Sequence, residues 1–228
     1  NRHQSIEQTE ALVVEARRLG FSSLNLDLVY GLPRQTFETI ESTIDAVIRL
    51  KPDRLALYSY AKVPWKYPFQ RRFQDEDLPE GLTKLEMYQR ARKKLEGAGY
   101  CAIGMDHFAL PHDEMFLARE RGELHRNFMG YTVRPHAQLV GFGMTAISML
   151  DEIYAQNAHK LPHYYEAIAQ GRFPLERGKR LSGDDQMRRY VILEIMCHFQ
   201  LNFAEFERRF GISFLKIHMN DGRTFILN

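Results

Sequence analysis

The feature that most constrains the fold is a regular alternation of helical and strand-like segments along the first half of the chain. The helical segments have apolar side chains every three or four residues, and the strand-like segments alternate apolar with small or polar side chains. Three such pairs follow one another: residues 4–19 then 23–29, Thr36 to Pro52 then 54–60, and 81–96 then 100–105. Because the connections are short, this order predicts parallel strands joined by right-handed crossover helices.

This pattern predicts an α/β fold, either part of a β/α barrel or an open doubly wound sheet. After residue 106 the pattern changes, and strand-like segments at 124–133 and 153–157 flank a glycine-rich turn. The later residues are typical of helices. We therefore expect a β/α domain over residues 1–158 and a small, mainly helical domain over 159–228.

Charge, cysteine content and hydropathy exclude several classes of protein. The 31 basic and 29 acidic side chains leave a net charge of +2, which argues against a nucleic-acid-binding protein held by phosphate contacts. The two cysteines, Cys101 and Cys197, are far apart, which predicts reduced thiols. The longest nearly apolar stretch, 139–150, is too short to span a membrane, so we expect a cytoplasmic protein. Because the chain starts at Asn1 without an initiator Met, we also expect it to be a piece of a longer protein.

Asp27 is the first candidate functional residue, because it interrupts an otherwise apolar strand that ends at Gly31. In β/α barrels the carboxyl ends of the strands carry the active site, and a carboxylate there can bind ribose hydroxyls or an amine. Backbone donors or a salt bridge could equally satisfy it. The run Gly141-Phe142-Gly143 formally begins a dinucleotide fingerprint, but Asp151 follows too soon after it. Such glycines suit either close approach to an adenosyl group or a plain tight turn.

A second candidate is the pair Asp106 and His107 at the end of the third predicted strand. With His125 it could form the site of a metal-dependent barrel hydrolase. No recognised metal-binding spacing accompanies these residues, which favours a hydrogen-bonded or substrate-contacting pair. The many aromatic residues between Tyr58 and Tyr131 are typical of a core, and they would also suit a large flat ligand.

Several segments together resemble a known family. They are N-L-D-L-V-Y-G-L-P-R-Q-T at 25–36, I-G-M-D-H-F-A at 103–109, L-H-R-N-F-M-G-Y-T at 124–132, G-F-G at 141–143, A-I-S at 146–148 and Y-A-Q-N at 154–157. The set resembles oxygen-independent coproporphyrinogen III oxidase, a radical S-adenosylmethionine enzyme of haem biosynthesis, from Asn1 to about Phe214. The first segment is shared with haem chaperones of the same superfamily, which makes a haem-binding chaperone the closest alternative. The segments at 103–109 and 124–128 are more particular to the oxidase.

The resemblance implies the later part of a partial (β/α) TIM-like barrel followed by the helical domain. It also implies an enzyme that oxidatively decarboxylates two propionates of coproporphyrinogen III to vinyl groups. In this family a 4Fe–4S cluster cleaves S-adenosylmethionine to start the reaction, an electron donor supplies the reducing electron, and two S-adenosylmethionine molecules bind. The family further suggests a monomer without nucleic-acid partners.

Matched position by position, Arg2 and Asp27 correspond to family residues that contact the second S-adenosylmethionine. Ala61 and Ile147 correspond to residues that contact the molecule at the cluster. These roles are chemically reasonable, because an arginine pairs with a carboxylate and an aspartate accepts hydrogen bonds from ribose or ammonium groups.

The resemblance also indicates a substrate pocket. Phe128 corresponds to a pocket phenylalanine, Met129 stands where the family often has glutamine, and His107 is a further pocket candidate. The C-x-x-x-C-x-x-C run that holds the cluster has no counterpart here, since Cys101 and Cys197 cannot supply it. We therefore expect no catalytic or metal-ligating residue in this chain. It should be a fragment that lacks the cluster-binding part and is inactive alone, and its helical domain fits the family less well at the end.

Overall fold

The computed structural model describes residues 4–134 and 138–215 of the chain. It is a mixed α/β protein that divides into two compact units, one ending at Glu120 and the other beginning at Arg121.

The first unit alternates helices with short strands. Its elements are α1 (Ile6–Arg18), β1 (Asn25–Tyr30), α2 (Phe37–Leu50), β2 (Arg54–Ser59), α3 (Gly81–Gly97), β3 (Cys101–Gly104), β4 (His107–Ala109) and α4 (Glu114–Glu120), with 3₁₀ turns at Pro68–Arg72 and Asp75–Asp77. Local signals explain where the first two helices begin. Ser5 and Thr36 each accept a hydrogen bond from the backbone of the third helical residue, which in turn bonds back to the cap.

The first sheet has the strand order β1-β2-β4-β3. The predicted parallel pairing of β1 with β2 is confirmed, with Asp27 opposite Ala56. The third predicted strand, β3, also runs parallel to β2, because both are antiparallel to β4. Strand β4, which lies between β2 and β3, was not predicted from the sequence. The reason is a hairpin at Met105, whose φ of 46° reverses the chain, so that His107 does not extend β3 but opens a strand of its own.

One face of this sheet carries the hydrophobic core of the first unit. Helices α2 and α3 pack against it, and the cluster includes the fully buried Ile40, Leu55, Leu95 and Phe108. Along β1 the side chains alternate between half-buried and exposed positions. The residues that alternate with the core residues therefore lie on the opposite face of the sheet.

The second unit contains two small antiparallel sheets and three helices in its described part. Its elements are β5 (His125–Asn127), β6 (Gly130–Thr132), β7 (Ile147–Leu150), β8 (Ile153–Asn157), α5 (Leu161–Ala169), β9 (Leu175–Arg180), α6 (Gly183–His198) and α7 (Phe203–Phe210). Strands β5 and β6 form a hairpin, and β7, β8 and β9 form a three-stranded sheet in that order. The strand predicted at 153–157 and the helix predicted at 204–210, ended by Gly211, are confirmed.

The compact units do not divide after residue 158, where the sequence predicted a boundary. Strand β9 pairs with β8 across that position, so the described residues 159–215 include a strand that belongs to the preceding sheet. The sequence gives no sign of β9, because L-E-R-G-K-R has no apolar alternation and every residue is exposed. Backbone pairing holds this strand in place. Gly178 permits it, since a Cβ there would lie 3.2 Å from the Tyr154 carbonyl oxygen.

Within the part of the chain that the structure describes, no helix is long and apolar enough to cross a membrane.

Candidate functional site

Asp27 and His107 lie on the same face of the first sheet, opposite the hydrophobic core. Asp27 is paired with Ala56 across the parallel strands, and Ala56 is paired with His107 across the antiparallel ones. The Asp27 carboxylate accepts a hydrogen bond of 2.7 Å from Asn25 Nδ2 and is otherwise exposed. The His107 ring makes an edge contact with Tyr58 at 6.0 Å between centroids. This face therefore combines a solvated carboxylate with an imidazole and a phenol.

Ala61 follows β2 in a loop that is shaped by the buried side chain of Gln70. The Gln70 amide donates to the Ala61 carbonyl at 3.1 Å, and its oxygen accepts from the Val63 amide at 2.6 Å. One residue earlier, Lys84 Nζ donates to the Tyr60 carbonyl, and the Tyr60 amide donates to Tyr30 at 2.8 Å. These bonds fix the backbone at the carboxyl ends of β1 and β2, where the sequence predicted cofactor contacts.

The opposite ends of β1 and β2 are joined by a buried carboxylate. Asp53 Oδ2 accepts from the Leu24 amide at 2.7 Å and from Arg17 on α1, and Oδ1 lies 2.9 Å from His112 Nε2. Burial by itself raises the pKa of Asp53, but the bonds from His112, Leu24 and Arg17 outweigh it and hold this pKa below its usual value. This cluster is structural, since it anchors the helix and strands that precede the predicted cofactor contacts.

Phe128 and Ile147 line one cavity of about 420 Å³ in the second unit. Tyr154 forms another wall, with its ring edge-on to Phe128 at 5.3 Å between centroids. Arg177 and Lys179, from β9, supply positive charge at the same cavity. The structure therefore brings together two residues that the sequence predicted for different roles, one for the cofactor and one for the substrate. Met129 is 86% exposed and does not line this cavity.

The glycine-rich turn at 141–143 is held together by internal hydrogen bonds. The buried Asn157 donates from Nδ2 to the carbonyls of Gly141 and Gly143, at 3.1 and 2.9 Å. A Cβ at Gly141 would lie 2.8 Å from the Ile147 carbonyl oxygen, which explains the glycine there. Of the two interpretations from sequence, a tight structural turn accounts for these contacts. The turn brings the backbone of Gly141 close to that of Ile147.

A second cavity, of about 390 Å³, adjoins the first and shares Phe128 and Tyr154 with it. Arg126, Arg189 and several apolar residues of β7 and α6 also line it. Sequence reasoning did not identify these arginines as site residues, because paired arginines on a helix are typical of a solvated face. The L-H-R-N-F segment that contains Arg126 was the available signal.

The remaining predicted residues are distributed as follows. Arg2 lies outside the described residues. Asp27, Ala61 and His107 belong to the first unit, and Phe128, Met129 and Ile147 belong to the second. Among the residues that the structure describes, no group of three or more His, Cys, Asp or Glu side chains could hold a metal ion, so Asp106, His107 and His125 form no such group.

The two cysteines do not fit a 4Fe–4S cluster. Cys101 is on β3 in the first unit, and Cys197 is on α6 in the second. Burial raises the pKa of the Cys197 thiol to about 11, whereas cluster ligation requires several accessible thiolates. By contrast, the walls of the first cavity suit an adenosyl group, because they combine aromatic and aliphatic surface with polar atoms at one side.

Comparison with known proteins identifies relatives of the chain. No family model matches the chain. It is 47% identical over 214 residues to the oxygen-independent coproporphyrinogen III oxidase of Pseudomonas aeruginosa, covering 94% of this chain and 46% of that protein. It is 42% identical to the oxidase of Escherichia coli, covering 97% of this chain and 48% of that protein. The solved structure of coproporphyrinogen III oxidase from Escherichia coli, described as a radical SAM enzyme, superposes with a TM-score of 0.92 over 97% of this chain and 51% of that one.

The chain thus spans about half the length of the curated relatives that it matches. Identities of 41–47% over most of the chain, together with the shared fold, establish common descent. As the motifs predicted, the chain is a homologue of the oxygen-independent coproporphyrinogen III oxidases.

Proposed function

We propose that this chain forms one side of the cofactor and substrate pocket of an oxygen-independent coproporphyrinogen III oxidase. The single observation that carries the proposal is the first cavity, where Phe128 and Ile147 meet beside two cations. Coproporphyrinogen III is a large macrocycle of four pyrrole rings with propionate side chains, so it requires apolar walls and positive charge together. The first cavity offers both.

When bound and cleaved after one-electron reduction, S-adenosylmethionine would supply the radical that removes a hydrogen atom from a propionate. The substrate radical would then lose carbon dioxide and pass one electron to an acceptor outside this chain, which leaves the vinyl group. The residues of this chain bind and orient. Asp27 accepts hydrogen bonds from the ribose or ammonium group of one S-adenosylmethionine, and Arg2 pairs with its carboxylate. Ala61 and Ile147 contact the adenosyl group of the other molecule. Phe128 and His107 face the substrate, whereas Met129 provides no hydrogen bond where the relatives often have glutamine.

The face of the first sheet opposite the core, on which Asp27 and Val29 are exposed, supports the partial-barrel part of the proposal. In a barrel the residues of that face, Asp27 and His107 among them, point inward. The cluster and its cysteines then belong to a portion of the parent protein outside this sequence, and this chain alone is inactive. We further propose that the parent is a cytoplasmic monomer that receives its electron from a separate donor.

A hybrid enzyme tests the proposal. The matching segment of the Pseudomonas aeruginosa oxidase is replaced by this chain, and protoporphyrinogen formation from coproporphyrinogen III is measured anaerobically with S-adenosylmethionine and a reductant. We expect turnover, and we expect Ile147→Arg to lower it about a hundredfold, because a misplaced cofactor loses that much. The matched control is Ile168→Arg, since Ile168 is half-exposed on α5 and lines neither cavity.

Two results would contradict the proposal. The first is a folded, cluster-containing hybrid that binds haem tightly but does not convert coproporphyrinogen, as a haem chaperone would. The second concerns the chain alone: after anaerobic reconstitution with iron and sulfide, it should show no 4Fe–4S absorbance. A stoichiometric cluster on the isolated chain would mean that the ligands have been misassigned.

A further inference from the structure

The second cavity contains an arginine that has no anionic partner among the residues that the structure describes. The Arg126 side chain is half-buried, its Nε is buried without any hydrogen-bond partner, and its Nη1 donates only to the Met196 sulfur at 3.7 Å. Its guanidinium also lies 5.7 Å from the centre of the Tyr131 ring. Sulfur is a weak acceptor, and a desolvated guanidinium is costly unless an anion pairs with it. The cavity that Arg126 lines provides the space for an anionic acceptor supplied from outside the chain.

A second arginine of the same cavity is also available. Arg189 lines the cavity from α6 and forms no ion pair within the described residues. Its neighbour Arg188 differs, because Arg188 Nε donates to Asp184 at 2.7 Å. The carboxylate of Asp185 also lines the cavity, but it accepts from the Ser182 amide at 2.9 Å and lies 3.2 Å from Lys179 Nζ. Its charge is thus offset by partners other than the two arginines.

The rest of the cavity is apolar. Met149, Ile192 and Leu193 line it, and the edge-on pair of Phe128 and Tyr154 lines both this cavity and the first one. A ligand that fits here must therefore carry carboxylates on a large apolar body that can lie along the aromatic pair. A small inorganic anion would leave the apolar walls uncovered.

We propose that Arg126 and Arg189 bind the propionate side chains of the tetrapyrrole that the reaction leaves intact, while the macrocycle lies along Phe128 and Tyr154. A reacting propionate must lie beside the adenosyl group, which the proposed function places in the first cavity with Ile147. Neither Arg126 nor Arg189 lines that cavity. This assignment rests on the proposed function and extends it, because it names the residues that fix which side chains are presented for reaction.

Fluorescence titration of the chain with coproporphyrin III, the stable oxidised form of the macrocycle, tests the assignment directly. We expect the tetra-acid to bind and its neutral methyl ester to bind at least tenfold more weakly. Arg126→Gln and Arg189→Gln should each weaken binding of the acid about tenfold, as expected for loss of one charge-assisted hydrogen-bonding group. The affinity of Arg126→Lys should lie between that of the unaltered chain and that of Arg126→Gln, since lysine keeps the charge but lacks the planar guanidinium.

Arg172→Gln is the matched control, because the Arg172 side chain is exposed, bonds only to Gln170 within the described residues and lines neither cavity. It should bind like the unaltered chain. Circular dichroism shows whether each variant is folded. If Arg126→Gln does not fold, Arg189→Gln decides, since Arg189 has no hydrogen bond to lose within the described residues.

Unchanged affinity in a folded Arg189→Gln chain, or no binding of coproporphyrin III by the unaltered chain, would overturn the assignment. So would displacement of the porphyrin by inorganic phosphate at equal concentration, which would indicate a general anion site. The hybrid enzyme separates this failure from failure of the proposed function. If the hybrids with Arg126→Gln and Arg189→Gln turn over with an unchanged KM, only the carboxylate site is rejected. If a hybrid binds porphyrin through these arginines but shows no turnover, only the oxidase activity is rejected.

Discussion

Replacing Asp53 with asparagine tests whether the buried carboxylate anchors the first unit. The side chain of Asp53 is 6% exposed, and that of its partner Arg17 is 35% exposed. Asparagine keeps the shape and one acceptor oxygen, so the bond from the Leu24 amide can survive. The substitution removes the negative charge that Arg17 and His112 contact. It also replaces one carboxylate oxygen, an acceptor, with an NH2 group, which is a donor.

The expected loss of unfolding free energy is about 2 kcal/mol. Breaking a fully buried ion pair costs about 3–5 kcal/mol, because an unpaired charge remains buried. Here the cost is smaller, since Arg17 and His112 are exposed enough to be hydrated after the substitution. Glu15→Gln is the matched control. Glu15 bonds Arg18 on the same helix, but both are exposed, so removing its charge should change stability little.

The same cluster predicts a pH dependence. Because the pKa of Asp53 is lowered in the folded chain, its contribution is fully present above the unfolded value of about 3.9 and is lost as the pH falls through the folded value. The free energy of unfolding is measured by urea denaturation. Hydrogen exchange of the Leu57 amide, which donates to the Asp106 carbonyl, reports on the stability of the first unit. The anchoring argument is refuted if Asp53→Asn lowers the free energy of unfolding no more than Glu15→Gln does. It is also refuted if the stability of the Asp53→Asn chain and that of the unaltered chain fall equally at acid pH.

Two other residues give further predictions. Asn157→Ala should destabilise the second unit by about 2 kcal/mol, because it leaves the carbonyls of Gly141 and Gly143 without their donor; a thermal melt that matches the unaltered chain would contradict this. Cys197 should react with iodoacetamide at pH 8 far more slowly than Cys101, since burial raises the pKa of Cys197 to about 11; equal labelling of the two peptides in mass spectrometry would contradict this.

Local signals made much of the first unit predictable. Thr36 caps α2 where the sequence indicated, and the helix ends at Leu50, just before Pro52. The hydrophobic period of α2 also identified the face that holds Ile40 and Ile44. Strand β4 could not be predicted in the same way. It has three residues, and its existence depends on pairing with β2 and β3. Strand β2 lies far away in the sequence, and β3 can pair with β4 only because the chain reverses at Met105.

The charged parts of the site were the least predictable. Arg177 and Lys179 reach the first cavity from β9, a strand that backbone pairing with β8 creates without any hydrophobic pattern. Phe128 and Ile147 were identified through family resemblance, and periodicity alone would have assigned both to a core. Sequence therefore identified the apolar walls of the cavity, whereas the cations beside them required the three-dimensional pairing of strands.

The face of the first sheet opposite the core is partly exposed in this chain. Parallel strand pairs are normally covered on both faces, because their crossover helices pack there and the strands carry apolar side chains on both sides. Here α2 and α3 cover one face, and the other exposes 39% of Val29 and 38% of Tyr58 beside Asp27. Apolar side chains that faced only water would stabilise nothing, and a carboxylate facing a closed interior would be costly without a partner. Both observations are reconciled if further chain covers this face and a cofactor with ribose or ammonium donors meets Asp27, as the proposed barrel requires.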